Sequence, residues 1–450
     1  MRCIARWRCA ALASAGLSIP LGSAAQVPAP YPVGHDLPAF EAPASAAAPA
    51  PDLSPEPTGV LRLDDALAAA LLRNPALAAD AYEVRAREAA ILQAGAHPNP
   101  SVTLELEDFA GSGEFHGVDN AQTTLLLGQL IELGEKRGAR IDQATASRDL
   151  ASWDYEVRRI DVLVSVAGAF VDVLAAQERH RLAADSLELA RSMQSAAARR
   201  LRAGIASAAE EIRAGVAVDV AAVELEHTEH ELATSRQALA ATWGGEAARF
   251  ERAEGDLERL PAVPSAVELA IRLDASPSVA RWQTVLAERD ALRARARSER
   301  VPDVTLHAGP RRLSGPDDTV LVVGLSVPLP LWDRRRGAIE EAEQRIAKLA
   351  AEARVARVHA VTELATARVG LAASSEEAAL LRTRVIPGTE RAVEALRRGY
   401  EQGRFAQIEV LDAERARLAA REQYLRALAE AHHSAQEIER LTGVPLEVKP

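Results

Sequence analysis

The side chains able to do chemistry are scattered along this sequence, and few fall at working distances from one another. His227 and His230 stand three residues apart with Glu226 and Glu229 beside them, a spacing that sets two imidazoles on one helical face and could bind a metal ion. On so charged a stretch the same pattern is the ordinary look of a solvated helix. His432 and His433 are adjacent, so on a helix they point in different directions. His97 and His116 flank a strand-like segment, and nothing in the sequence pairs with them. There is no Gly-x-Ser-x-Gly, no glycine-rich phosphate loop and no metalloprotease helix motif. The expectation is a protein that is not an enzyme, with no cofactor and no metal centre of its own. What remains is the electrostatics of carboxylates. Glu409 and Asp412, three apart, share a helical face, and Glu210 follows Gly204 at the distance that Glu409 follows Gly403.

The chain that must position these groups is long and lean. It has 450 residues, 53 basic and 64 acidic side chains, and a formal charge of −11. No basic excess exists to release phosphate counterions, which argues against nucleic acid as a partner. Hydrophobic residues make up 48% and aromatics only 4%, so alanine and leucine mixed with arginine and glutamate set the character: long, thinly packed helices. Residues 1–25 carry Arg2, Arg6 and Arg8, an apolar run from Ala10 to Leu21 and a small-residue Ser23-Ala24-Ala25 close, the layout of a secretory signal peptide. Both cysteines, Cys3 and Cys9, lie inside it, so the exported chain is expected to have neither disulfides nor an acylated cysteine. Residues 26–58 hold nine of the 24 prolines among alanines and read as an extended linker with little apolar surface to bury.

Ile160 to Ala176 is the nearest approach to a membrane-spanning helix, and it carries Asp161 and Asp172. A carboxylate at the centre of a spanning helix costs about 2.5–3.5 kcal/mol, so this stretch is expected to be a packed helix. An exported chain of this kind crosses a membrane only as a closed β-barrel.

The body is an internal duplication. A shift of 202 residues sets Pro75 on Pro277, Pro100 on Pro302 and Val102-Thr103-Leu104 on Val304-Thr305-Leu306; a shift of 199 then sets Arg137-Gly138-Ala139 on Arg336-Gly337-Ala338, Gly204 on Gly403 and Gly244 on Gly443. The two repeats span 61–243 and 264–443. Each begins with a helix (Leu63 to Gln93; Ser265 to Ser298), followed by two segments of strand character. Ser101–Glu107 and Asp303–His307 alternate, as does Thr319–Val327, while Thr123–Ile131 is apolar without clean alternation. Helical stretches of about 70 residues follow, Gly134 to Gly204 and Asp333 to Gly403, the second with a kink expected at Pro387-Gly388. Shorter helices return over Ala208–Thr242 and Gln407–Leu441. Four amphipathic strands cannot close a barrel with a usable lumen, because exposed edges in lipid are prohibitive. Three chains would give twelve strands, with the helical hairpins side by side in a hollow cylinder. The reading from another class is a periplasmic coiled-coil adaptor or scaffold with two hairpins attached.

From Leu61 to Gly443 the chain resembles the TolC-type outer-membrane factors, closest to the branch serving cobalt–zinc–cadmium and copper–silver resistance. The resemblance rests on His97-Pro98-Asn99-Pro100 with Glu105, on the junctions Gln129–Arg137 and Pro328–Gly337, and on the tips Leu201–Ser207 and Tyr400–Ala406. It implies a mainly α fold: a trimeric 12-stranded barrel in the outer membrane of a Gram-negative bacterium, continued by a long periplasmic helical barrel. It also implies a passive duct in a tripartite efflux system, with a periplasmic adaptor and a proton-driven inner-membrane transporter of the RND type. The cargo would be heavy-metal cations, or alternatively organic drugs or secreted proteins. By the same resemblance Glu409, Asp412 and, more weakly, Glu210 fall at the acidic constriction of the periplasmic mouth. Gly204 and Gly403, which permit the sharp reversals, would dock the adaptor together with the small or polar Arg202, Ser207, Arg404 and Gln407.

Overall fold

The computed structural model describes residues 32–43 and 55–447. The expected signal peptide lies outside the described residues, as does much of the expected linker.

Helix propensity and punctuation by Gly and Pro account for the order of elements. β1 (Gly59–Leu61), α1 (Leu63–Arg73) and α2 (Pro75–Ala94) lead into a hairpin of β2 (Ser101–Glu107) and β3 (Gln122–Ile131). α3 (Lys136–Arg202) and α4 (Ala208–Ala241) follow, the former about 100 Å long at 1.5 Å per residue. The second half runs β4 (Phe250–Ala253), α5 (Ala266–Asp274), α6 (Pro277–Ser298), β5 (Val304–Leu313), β6 (Asp318–Ser326), α7 (Arg336–Leu380), α8 (Ile386–Glu401) and α9 (Gln407–Thr442).

Three features differ from the sequence expectation. The opening helix of each half is two helices. Pro75 lacks an N–H to continue α1, and Asn74 restarts the chain by accepting from the amides of Ala76 and Leu77; Pro277 divides α5 from α6 in the same way, though Ser276 before it makes no side-chain cap. Within the expected linker, residues 32–43 are not a bare spacer. Phe40 is buried and its N–H donates to Leu71 O (2.9 Å), Tyr155 Oη donates to Phe40 O (3.3 Å), and Val33 and Leu37 pack on Leu71, Leu77 and Leu163. Finally, the interruption at Pro387 is a π turn over Leu381–Val385 between α7 and α8, a widened turn that accommodates the hydrogen bond proline cannot donate.

The apolar run of α3 is long enough by composition to cross a membrane, but it is packed inside. Val166, Phe170, Val173 and Leu174 meet Leu239, Trp243, Phe250 and Leu428 in one core cluster. A second cluster joins Leu269 and Leu273 to Leu364, Leu371, Ile438 and Leu441. Between the halves β4 pairs in parallel with β1, and Gln177 of α3 holds Ala253 by both its amide N–H (2.8 Å) and its carbonyl (2.9 Å).

The four long strands form one antiparallel sheet in the order β2-β3-β5-β6. The joint between the two hairpins is β3 on β5, with Gly128 opposite His307 and Ile131 opposite Val304. β5 runs six residues beyond the expected His307 because its alternation continues through Ala308 and Pro310 on one face and Gly309 and Arg311 on the other, which hydrophobicity alone hides.

Candidate functional site: sheet wall, junctions and tips

Cross-strand partners point to the same side of a sheet, so the register sorts every side chain to a face. One face gathers Val102, Leu104 and Leu106 of β2, Leu125 and Leu127 of β3, Leu306 of β5, and Leu321, Val323 and Leu325 of β6. All are well exposed; Leu321 is 76% and Val102 71% accessible in the single chain. So much apolar surface on one side of four strands calls for a covering of lipid. The opposite face carries Glu105, Glu107, Gln122, Thr124, His307 and Arg311. Arg311 organises it: Nε donates to Thr124 Oγ1 (2.8 Å), Nη1 to Gln122 Oε1 (3.2 Å), and Nη2 pairs with Glu107 Oε2 (3.1 Å). His307 lies between Gly128 and Gly324 on the neighbouring strands. Sequence reasoning missed Arg311, although its place in the alternation of β5 marks it.

Where the first hairpin meets α3, charge fixes the joint. The N–H of Leu133 and the ammonium of Lys136 both donate to Asp303 Oδ1 (3.1 and 2.6 Å), and Arg140 forks onto Glu132 while reaching the carbonyls of Ala94 and Ala96. At the second junction Leu329, Leu331 and Trp332 are exposed, Trp332 to 92%. Apart from a bond between Arg335 and Glu299 (3.4 Å), that junction is held by local turns, with Leu331 N on Leu329 O (2.8 Å) and Arg335 N on Asp333 Oδ1 (2.9 Å).

At the far end, the two tips have the same backbone. Gly204 (φ 72°) and Gly403 (φ 74°) adopt the left-handed conformation after α3 and α8. Gly204 N and Ile205 N donate to Leu201 O and Arg200 O (both 2.9 Å), and Gly403 N and Arg404 N donate to Tyr400 O (3.0 Å) and Gly399 O (2.8 Å). These paired bonds satisfy the last helical carbonyls and require a residue tolerant of positive φ. The tips also touch each other: Arg200 Nη1 donates to Tyr400 O (2.9 Å), and its guanidinium lies 4.5 Å from the Tyr400 ring centre.

Of the expected docking residues, Arg202 and Arg404 are exposed beside the turns. Ser207 is exposed too, but its hydroxyl is engaged as the cap of α4, accepting from Glu210 N (3.3 Å). Gln407 departs from the expectation: it is only 3% accessible, its Nε2 is without a hydrogen-bond partner, and it does not face solvent in the single chain. Glu409 and Asp412 are both exposed on α9; Glu409 Oε2 accepts from Ala406 N (2.8 Å) and Asp412 Oδ1 from Arg415 (3.3 Å). Glu210 is half-buried, with Oε2 out of reach of any donor. Burial pushes the Tyr400 phenol above its ordinary range; the Arg200 charge opposes this and the Glu210 charge adds to it.

The histidines are not gathered. Among the described residues no three His, Cys, Asp or Glu side chains converge as metal ligands. His433 Nε2 meets Asp172 Oδ1 (2.9 Å), whose hydrogen bond raises the imidazole's pKa, while burial lowers that of His432, which bonds Leu257 O (3.0 Å).

A lipid-facing sheet with a polar reverse side, set on helical hairpins of this length, is the design of a membrane channel, and sequence comparison agrees. The family signature Outer membrane efflux protein (OEP) matches residues 66–245 and 271–444, and the chain belongs to that family. The cobalt-zinc-cadmium resistance protein CzcC of Cupriavidus metallidurans is 35% identical over 388 residues, covering 86% of this chain and 91% of the relative. The nickel-cobalt-cadmium resistance protein NccC of Alcaligenes xylosoxydans xylosoxydans is 31% identical over 305 residues, 66% of this chain and 68% of the relative. The solved structure of CusC shares the fold, with a TM-score of 0.71 at 17% identity over 90% of this chain and 99% of CusC. The chain is thus an outer-membrane efflux channel with a large periplasmic helical part, a passive duct and not an enzyme. The scaffold reading is set aside.

Proposed function

We propose that three copies close a 12-stranded barrel whose helical hairpins continue as a periplasmic duct, and that this duct carries heavy-metal cations outward. Closure is supported by the sheet itself: β2 and β6 are open edges with a lipid-type face, and four strands are too few to curl shut. The two matched segments of the family signature, 66–245 and 271–444, are consistent with two repeats per chain. A duct without an energy source needs a driven pump behind it, so the complete system is read as tripartite, with an inner-membrane RND transporter and a periplasmic adaptor docked at Arg202, Gly204, Ser207, Gly403 and Arg404. Glu409 and Asp412, exposed on α9, would bring six carboxylates round a threefold axis, with Glu210 behind them, a ring that attracts cations.

The observation that carries the metal reading is the match to CzcC across 91% of that protein's length. Acidic rings alone do not name a cargo. The test is deletion of the gene followed by growth on graded zinc, cobalt, cadmium, nickel, copper and silver salts. Loss of resistance to the divalent metals is expected; sensitivity to organic toxins alone would overturn the metal reading.

A further inference from the structure

With the threefold barrel proposed above, on which this inference rests, the polar face of the sheet lines the lumen. At the end nearest the helices, the register sets one row across that face: Ser101 of β2, Gly128 of β3, His307 of β5 and Gly324 of β6. The two glycines leave the wall thin there, and the two remaining side chains fold over them. A β-carbon at Gly128 would stand 2.7 Å from Ser101 Oγ and 3.5 Å from His307 Nδ1, and one at Gly324 would stand 3.1 Å from His307 Cδ2. The imidazole therefore lies along the sheet across both glycines. The Ser101 hydroxyl leans toward it from the other side of Gly128, which is buried although it has no side chain of its own.

The ring is chemically free. His180, His432 and His433 each engage a ring nitrogen, with Thr228, the Leu257 carbonyl and Asp172. His307 has no hydrogen-bond partner among the described residues, and the Ser101 hydroxyl makes a long bond to the Gly128 carbonyl (3.5 Å). We propose that Ser101 Oγ and His307 Nδ1, over the floor of Gly128, form a contact for a passing divalent transition-metal cation, one in each copy. Imidazole is a ligand for zinc, nickel and copper, whereas magnesium and calcium prefer carboxylate, carbonyl and water. The contact thus selects by ligand chemistry, where Glu409 and Asp412 would select by charge alone. Two neutral ligands, with the other positions left to water, hold an ion weakly, and a site inside a duct must release what it binds.

Two measurements separate this contact from the barrel that holds it. In bilayer recordings of the full-length protein, with the metal added on the barrel side, zinc is expected to reduce the current at concentrations where magnesium does not. His307→Ala should require at least about tenfold more zinc for the same reduction, and Ser101→Ala a smaller increase. Zinc acting equally on the wild type and His307→Ala, or magnesium matching zinc in the wild type, overturns the contact. The second measurement is the reaction of single introduced cysteines with a charged thiol reagent in the membrane-embedded protein. His307→Cys should react, and Leu306→Cys, its neighbour on the apolar face, should be shielded by lipid. Equal reaction at both, or reaction at Leu306→Cys alone, overturns the barrel reading itself. Reaction at His307→Cys alone, with zinc action unchanged in His307→Ala, overturns only the contact.

Discussion

At the first tip Arg200 occupies the place, three residues inside the helix end, that Gly399 occupies at the second. Arg200 reaches over to the Tyr400 carbonyl and ring. Gly399 has no side chain, and Phe405 folds back into the space where a Cβ would project. One turn of identical backbone thus supplies an arm and the other a socket. The carboxylates follow the same division. Glu210, beyond the first turn, is drawn half under cover toward Tyr400, while Glu409 and Asp412, beyond the second, stand on an open face. Equal positions in a duplicated sequence have therefore acquired unequal surroundings: Glu210 lies half-buried within electrostatic reach of the Tyr400 phenol, whereas Glu409 and Asp412 lie open to solvent in the single chain.

The largest effect should come from the one feature the tips share. Leucine at Gly204 or Gly403 would meet open space but be held at positive φ, a strain of about 1–2 kcal/mol. That is too little to unfold hairpins of this length, but it is enough to reshape the turn proposed to dock the adaptor. Gly204→Leu and Gly403→Leu are each expected to reduce metal resistance to the level of the deletion strain while trimers still reach the outer membrane. If one variant alone does so, only that tip docks. If cross-linking to the adaptor is unchanged in both, neither does.

A smaller effect tests the division of the acids. In single-channel recording with a multivalent cation on the periplasmic side, Glu409→Ala with Asp412→Ala should weaken block at least about tenfold, roughly 1.4 kcal/mol of binding. Glu210→Gln should leave block nearly unchanged. Undiminished block in the double variant would put the constriction elsewhere, and equal loss from Glu210→Gln would erase the distinction between the tips.

The difference between the tips also marks how far the sequence could be read. Strict alternation made β2 and β6 visible, and Gly204 and Gly403 made the reversals visible, because each is a local pattern with a local cause. The family followed from short motifs at the junctions and tips. Arg200 and Tyr400 are 200 residues apart, and no spacing rule connects them. Phe40 was concealed among prolines and alanines, since a single aromatic gives no periodicity, yet its burial docks residues 32–43. Gln407 looked like surface by type and is buried by packing. Glu409, expected at the acidic constriction, is exposed in the single chain, and its bond to Ala406 N also makes it a helix cap, a role that Ala406, lacking a side-chain oxygen, leaves open.

The finest test reads the joint between the tips directly, through the Tyr400 phenol. Burial is the main reason its pKa stands above the ordinary value of 10.0; Arg200 pulls it down and Glu210 pushes it up. Glu210→Gln removes one of the upward influences, so Tyr400 should ionise at lower pH than in the wild type, though still above an exposed tyrosine. The sign for stability follows. A phenol whose folded pKa is raised contributes stability that is complete below its unfolded pKa and is lost as pH rises through the folded value. In Glu210→Gln that loss should finish at lower pH, narrowing the alkaline window from its upper end. Tyrosinate absorbance against pH, with Tyr400→Phe subtracted to isolate the group, measures the shift, and Glu409→Gln at the other tip serves as the control. If Glu210→Gln leaves the Tyr400 titration where it was, or Glu409→Gln moves it equally, then Glu210 is no more a part of the joint than its counterpart, and the two acids differ only in exposure.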